Sequence, residues 1–166
     1  MESIRLPNLT GYTKSTDMPF ANYMKIALHE ARAAASRGEV PVGACIVSPD
    51  GEVVAQAGNN QRTANDPTAH AEVLAIQKAC KSVGTERLIG HSLYVTLEPC
   101  AMCAGAIANA RIGSLYFGAS DQKSGGVIHG AKVFSHPQAH HRPEIYDGIS
   151  EAECSALLKD FFRKLR

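Results

Sequence analysis

Charge of either sign is barely in surplus. Lys plus Arg number 17 and Asp plus Glu 16, a formal net charge of +1. That balance excludes a strongly basic coat for nucleic acid, though a local basic patch remains open. Long apolar runs are missing too. The longest stretch without a charged side chain, Pro99 to Ala110, is 12 residues, short of the roughly 18 that a membrane helix needs. The opening MESIRLPNLTGYTKSTD has no apolar h-region, so it is not read as a secretory signal. Glu2, Asp17 and a single Arg also fit a transit peptide poorly. Residues 1–16 are read as a flexible leader and 17–166 as one domain. No internal repeat, low-complexity tract or linker divides the chain.

What is present suits a compact fold. The chain has 166 residues, 45% hydrophobic and 20% charged, a globular composition. A domain of that size buries about 70% of its unfolded surface. The five cysteines, Cys45, Cys80, Cys100, Cys103 and Cys154, are an odd number. With no secretion signal they indicate a reducing, cytoplasmic setting, where a close pair more often marks metal or redox chemistry.

Helical and strand-like segments alternate, which predicts an α/β layered fold. A first helix is expected from about Asp17 to Arg37, with Asp17 as N-cap and Phe20, Met24, Ala27, Ala31 and Ala34 on one face. Val40 to Val47 is an uncharged apolar run that suits a buried strand. Ser48-Pro49-Asp50-Gly51 is turn chemistry, and a second strand starting at Val53 completes a hairpin. Gly58 to Asn65 reads as a polar loop. Asp66-Pro67-Thr68 opens a second helix with an apolar stripe of Val73, Ile76 and Cys80. Further strands are expected at Leu93 to Leu97 and Ile112 to Phe117, on either side of a small-residue helix at Cys100 to Ala110. Gly118 to His141 reads mainly as loop, with one helical turn near Val127 to Phe134, and Pro143 to Tyr146 as a short edge strand. The last helix carries a capping box at Ser150 and Glu153. Cys154, Leu157, Leu158, Phe161, Phe162 and Leu165 form its apolar stripe.

Three side chains suit a metal. Cys100-Ala-Met-Cys103 places two thiols on one turn at a helix start, and His70 lies at the start of another helix. Helix N-termini offer free N–H groups and partial positive charge, which favour thiolates and an anionic ligand. One imidazole and two thiolates leave a tetrahedral zinc one open vertex, the mark of catalytic rather than structural sites. Water there has its pKa lowered to about 7. Glu72, two residues after His70, is placed either as a fourth ligand or, as preferred here, as the carboxylate that takes a proton from that water and passes it to a leaving group. Such a site acting on an amino-substituted heterocycle would release ammonia. Taken alone, Cys-x-x-Cys also fits thioredoxin-like redox chemistry, and His-x-Glu is a weak signal. Their combination, with Pro99 before Cys100, is specific.

His70-Ala71-Glu72 with Pro99-Cys100-Ala101-Met102-Cys103 resembles the zinc-dependent nucleobase deaminases. Asn59, Asp66 to Glu72, Thr96 to Cys100, Phe117-Gly118-Ala119-x-Asp121, His136-Pro137 and Phe161-Phe162-Arg163 extend the resemblance to the bacterial tRNA-specific adenosine deaminases, over about residues 18–166. The resemblance implies a three-layer α/β/α cytidine-deaminase-like fold with a mixed five-stranded sheet whose last strand is parallel to its neighbour. It implies one Zn2+ per subunit on His70, Cys100 and Cys103, proton transfer by Glu72, and a homodimer. The implied reaction converts adenosine to inosine at the wobble position of a tRNA anticodon. By the same resemblance Asn59 would hydrogen-bond the extruded base and Asp121 would contact the neighbouring sugar or backbone. His140 stands where several relatives are expected to carry Asn, and is a further candidate RNA contact with His136 and His141 nearby.

Simpler readings stand beside these. Asn59 suits a turn, Asp121 a loop cap, and the loop histidines solvated positions. Phe161 and Phe162 fit the core, and Cys45, Cys80 and Cys154 read as inert buried thiols. Arg163, Lys164 and Arg166 complement a helix dipole as readily as a phosphate. The competing functions are a deaminase of free guanine, cytosine or cytidine, and a zinc-stabilised interaction module without turnover.

Overall fold

The computed structural model describes residues 19–165; the leader and the expected Asp17 cap lie outside the described residues. The elements run α1 (Pro19–Ser36), β1 (Gly43–Val47), β2 (Val53–Gly58), α2 (Gln61–Ala64), α3 (Ala71–Val83), β3 (Ser92–Leu97), α4 (Ala101–Asn109), β4 (Ser114–Ala119), β5 (Glu144–Tyr146) and α5 (Glu151–Lys164). A single 3-10 turn at Val133–Ser135 precedes β5. The sheet order is β2-β1-β3-β4-β5. β1 is antiparallel to β2 and β3, while β3–β4 and β4–β5 are parallel.

Side-chain alternation makes three layers, because successive strand residues point to opposite faces. Ala44, Ile46, Leu93, Val95, Leu115 and Phe117 face α3 and α4, where Ala75, Ile76, Ala79, Ala104 and Ile107 complete the main core. Cys45, Val47, Tyr94 and Tyr116 face the other way, against Tyr23 and Ile26 of α1 and against Ile149. Tyr94, Tyr116 and Tyr146 share one register position across β3, β4 and β5. Their rings stack at centroid distances of 4.4 and 4.7 Å, which adds a cross-strand contact to the short edge strand.

The alanine face of α1 lies directly on the β1–β2 ladder. Gly43 and Gly58 are paired there. A Cβ on Gly58 would come within 2.6 Å of the Glu30 carbonyl oxygen, and one on Gly43 would overlap the Ala27 carbonyl. Only glycine permits this approach.

Several boundaries differ from the sequence expectation, each for a local reason. β1 begins at Gly43 rather than Val40, since Pro41 has no N–H and Val42 N–H turns back to the Val40 carbonyl at 2.8 Å. β4 begins at Ser114 rather than Ile112. Ile112 N–H donates to Ile107 O and Arg111 N–H to Ala108 O, with Arg111 at φ 58, so both residues close α4 in a Schellman motif. The expected polar loop contains the short α2. α3 starts at Ala71, not at Pro67: Asp66 Oδ1 accepts Thr68 N–H at 2.8 Å and Thr68 Oγ1 at 2.7 Å in an Asx turn. The buried face of α3 is Ala71, Glu72, Ala75, Ile76 and Ala79, so Val73 and Cys80 sit at its margin. The capping box is not formed. Ser150 has φ 54 and makes no side-chain cap, and Glu153 instead pairs with Arg32, tying α5 to α1. Phe161 is half-buried and Phe162 is 48% exposed, so neither completes the core as expected.

Candidate active site

The ends of β2, β3 and β4 lie on one edge of the sheet, since β2 and β3 both run antiparallel to β1 and β4 runs parallel to β3. Asn59 directly follows β2, Glu98 follows β3, and Asp121 stands two residues after β4. The N-termini of α3 and α4, with His70 and Cys100 at their cap positions, open at the same edge. Ligand crevices of open α/β sheets form at such carboxyl ends.

His70 Nδ1 lies 3.7 Å from Cys100 Sγ and 3.4 Å from Cys103 Sγ, and the three donor atoms fall within 4.8 Å of one another. Tetrahedral zinc with ordinary Zn–S and Zn–N bonds needs such atoms about 3.6 Å apart. Cys103 is buried, while His70 and Cys100 are half-buried, which leaves one side of the trio open to the crevice. Hydrogen bonds from Cys103 and then His70 lower the Cys100 thiol to about 4. Its hydrogen bond to Cys100 and its burial push Cys103 up. His70 is raised by its hydrogen bond to Cys100. The donor set itself, two soft sulfurs and one imidazole, fits a zinc-type ion, which would hold both cysteines as thiolates.

Glu72 is 3% exposed, and burial raises its pKa. Its Oε2 is buried with no hydrogen-bond partner. An unsatisfied buried carboxylate oxygen is unfavourable in a bare fold, and here it stands beside the trio that could hold a metal.

A cavity of about 160 Å³ is lined by His70, Glu72 and Cys100 together with Asn59, Glu98 and Asp121, under apolar walls that include Val42 and Leu97. A wider groove of about 720 Å³ shares Asp121, Leu97 and Val40 with it and runs along α5 past Leu158 and Phe162. The fold therefore brings together six of the residues singled out from sequence: Asn59, His70, Glu72, Cys100, Cys103 and Asp121. His140 is exposed, does not line this cavity, and offers its carbonyl to Arg111 at 3.3 Å. His141 Nε2 meets the Ile112 carbonyl at 2.6 Å.

Glu98 was missed as a separate feature. It accepts hydrogen bonds from four amides and from His129. Burial pushes its pKa up, but the His129 side chain and these amides outweigh that and hold it below the usual carboxylate range. The available signal was a charged residue closing the uncharged stretch Leu88 to Leu97 immediately before Pro99-Cys100.

The family model for MafB19-like deaminases matches residues 18–166. A tRNA-specific adenosine deaminase of Agrobacterium fabrum is 52% identical over 145 residues, which is 87% of this chain and 95% of the relative. A solved structure from studies of A-to-I editing by tRNA:A34 deaminases at the wobble position superposes with a TM-score of 0.81 at 52% identity, over 82% of this chain and 99% of the other. A guanine deaminase from Bacillus subtilis superposes with a TM-score of 0.59 at 37% identity, over 75% of this chain and 82% of the other.

Proposed function

This chain belongs to the MafB19-like deaminase family, with the cytidine-deaminase-like fold of its neighbours, and on that premise we propose that it converts adenosine to inosine at the wobble position of a tRNA anticodon. The observation that carries the proposal is the His70, Cys100 and Cys103 trio meeting Glu72, whose buried Oε2 has no partner, at one cavity. The 52% identity to a tRNA-specific adenosine deaminase supports the choice of substrate.

His70, Cys100 and Cys103 would hold a zinc ion, which supplies Lewis-acid activation of water near neutral pH. Glu72 accepts the proton of the attacking water and delivers protons to the ring nitrogen and then to the amino group. Water adds at carbon 6, the carbon–nitrogen bond breaks, and ammonia leaves. Asn59 donates its side-chain amide to the base and Asp121 orients the adjoining sugar or backbone. The groove along α5 gives room for flanking nucleotides, and an unpaired anticodon loop makes extrusion of the base inexpensive. Val42 and Leu97 limit water around the base.

A homodimer is part of the proposal. Met102 on the first turn of α4 and Ile128 on the loop packed against it are exposed apolar side chains that a partner subunit would cover. The setting proposed is cytoplasmic, where thiols stay reduced. No helix among the described residues is long and apolar enough to cross a membrane.

Deamination of a free base is the second reading; the solved guanine deaminase is 37% identical against 52% for the tRNA:A34 deaminase, so the comparisons do not favour it. Offering an anticodon stem-loop, free guanine and cytidine in parallel separates the two. Inosine in the stem-loop is expected, and ammonia from the free compounds alone would overturn the tRNA assignment.

A further inference from the structure

The Glu98 side chain has 0% exposure. A buried charge is tolerated only when its lone pairs are filled, and here they are filled by one loop. Oε1 accepts three successive amides, Val127 at 3.2 Å, Ile128 at 2.9 Å and His129 at 2.9 Å. Oε2 accepts Asp121 N–H at 3.0 Å and His129 Nδ1–H at 2.7 Å. Successive N–H groups of this kind form a nest, a concavity that binds anions; the protein fills it with its own carboxylate.

The loop has no slack against the metal-binding segment. Gly126 N–H donates to the Pro99 carbonyl at 2.8 Å, and Gly125 bridges Cys100. A Cβ on Gly125 would lie 2.6 Å from the Glu98 carboxyl group, and one on Gly126 2.5 Å from the Ala101 nitrogen. Asp121 in turn folds the next residues, its Oδ1 accepting Lys123 N–H at 3.0 Å and Ser124 N–H at 2.9 Å. Asp121 and Ser124 line both the cavity and the groove.

We infer that Glu98 is a positioning residue: its carboxylate clamps residues 121–129 to the start of α4, and so fixes the cavity wall that holds the RNA beside the reacting centre. The inference rests on the reading of this cavity as an RNA deaminase site. It separates binding from chemistry, since the side-chain bonds of Glu98 go to Asp121 in the wall and to residues 127–129 behind it, and none to Glu72 or to the trio. Glutamine in its place keeps one acceptor oxygen but turns an NH2 group toward amides that are themselves donors. Losing charge-assisted bonds of this kind is expected to weaken substrate binding about tenfold.

The test compares E98Q and H129Q with the wild type on an anticodon stem-loop, with zinc content and amide exchange measured on the same samples. E98Q is expected to keep its zinc, raise KM about tenfold with kcat within a few-fold, and speed exchange at residues 121 and 127–129 but not along β3. H129Q removes one of the five bonds and should raise KM less. An unchanged KM, a fall in kcat at constant KM, or loss of zinc in E98Q would overturn the inference. Should E98Q not fold, H129Q decides, and an unchanged KM there overturns it. Absence of inosine with the wild type would instead sink the functional reading, and the exchange pattern would still report whether Glu98 holds the loop.

Discussion

Asn59 Oδ1 accepts the backbone N–H of Ala71, the first residue of α3, at 2.8 Å. His70 occupies the local cap position but makes no side-chain cap, because its ring is committed to the two cysteines. A residue from the end of β2 therefore satisfies an orphan donor at the helix start, and its NH2 group remains for the cavity. The acceptor end of this amide thus supports α3 rather than a local turn, and we propose that its donor end reads the base.

Two substitutions separate those ends. N59A loses both and should lower stability by about 1 kcal/mol as well as impair deamination. N59D keeps an acceptor for Ala71, so thermal unfolding should stay near wild type. Its kcat/KM on the stem-loop should still fall about tenfold or more through the lost donor. Unfolding curves and steady-state kinetics on both variants check this, and full activity of N59D would remove Asn59 from base recognition.

Glu72 tests the proton-transfer role. Its Oε2 has no partner, so E72Q removes a buried charge without breaking a bond to that oxygen. The variant should fold with a thermal midpoint at or above wild type and retain its metal, while the rate falls by about 10²–10⁴. A collapse in metal content would instead make Glu72 a ligand.

The close approach of α1 to the sheet gives a stability prediction. A side chain at Gly43 would overlap the Ala27 carbonyl, and the backbone on both sides is fixed by helix and ladder. G43A should therefore destabilise by about 2–3 kcal/mol, read as a lower urea midpoint with unchanged slope. Alanine at Gly105, where nothing outside the backbone of its own helix stands within 4 Å of the added Cβ, should be neutral or stabilising, because alanine favours a helix interior.

Much of this was legible from pattern and some was not. The His70-x-Glu72 and Cys100-x-x-Cys103 spacings place candidate site residues on helix starts by local geometry alone, and α1, α4 and the hairpin follow from periodicity and turn residues. The parallel β5 rested on the family resemblance, and the stacked Tyr94, Tyr116 and Tyr146 show what holds it. What pattern did not reveal was decided by distant partners. Glu153 left its capping box for Arg32, which is 121 positions away. Asn59 caps a helix 12 residues on, and Glu98 meets His129 31 residues later. Local pattern carries no information about such pairs. His140 was singled out through the family resemblance, as a departure from the expected Asn; its carbonyl accepts from Arg111 and its side chain is exposed.

Glu39 gives a pH dependence. It is 1% exposed. Burial raises its pKa, but the amides of Thr63 and Arg62 and the Thr63 hydroxyl, at 2.8, 3.2 and 3.0 Å, hold it below the ordinary value of 4.5. A carboxylate lowered on folding stabilises the protein above its unfolded pKa, and that contribution is lost as pH falls through the folded pKa. E39Q should thus be less stable than wild type at neutral pH, with the gap closing below about pH 4. Parallel urea titrations at neutral and acidic pH check the sign, and a gap that widens in acid would contradict it.

The central claim is that His70, Cys100 and Cys103 hold the metal on which deamination depends. The most direct measurement strips the purified protein with a chelator, reloads it stepwise with zinc, and follows bound metal and inosine formation in an anticodon stem-loop together. The account predicts no inosine from the stripped protein and activity rising in proportion to zinc up to one ion per chain. Full activity without metal, or bound zinc that leaves inosine formation unchanged, would contradict it.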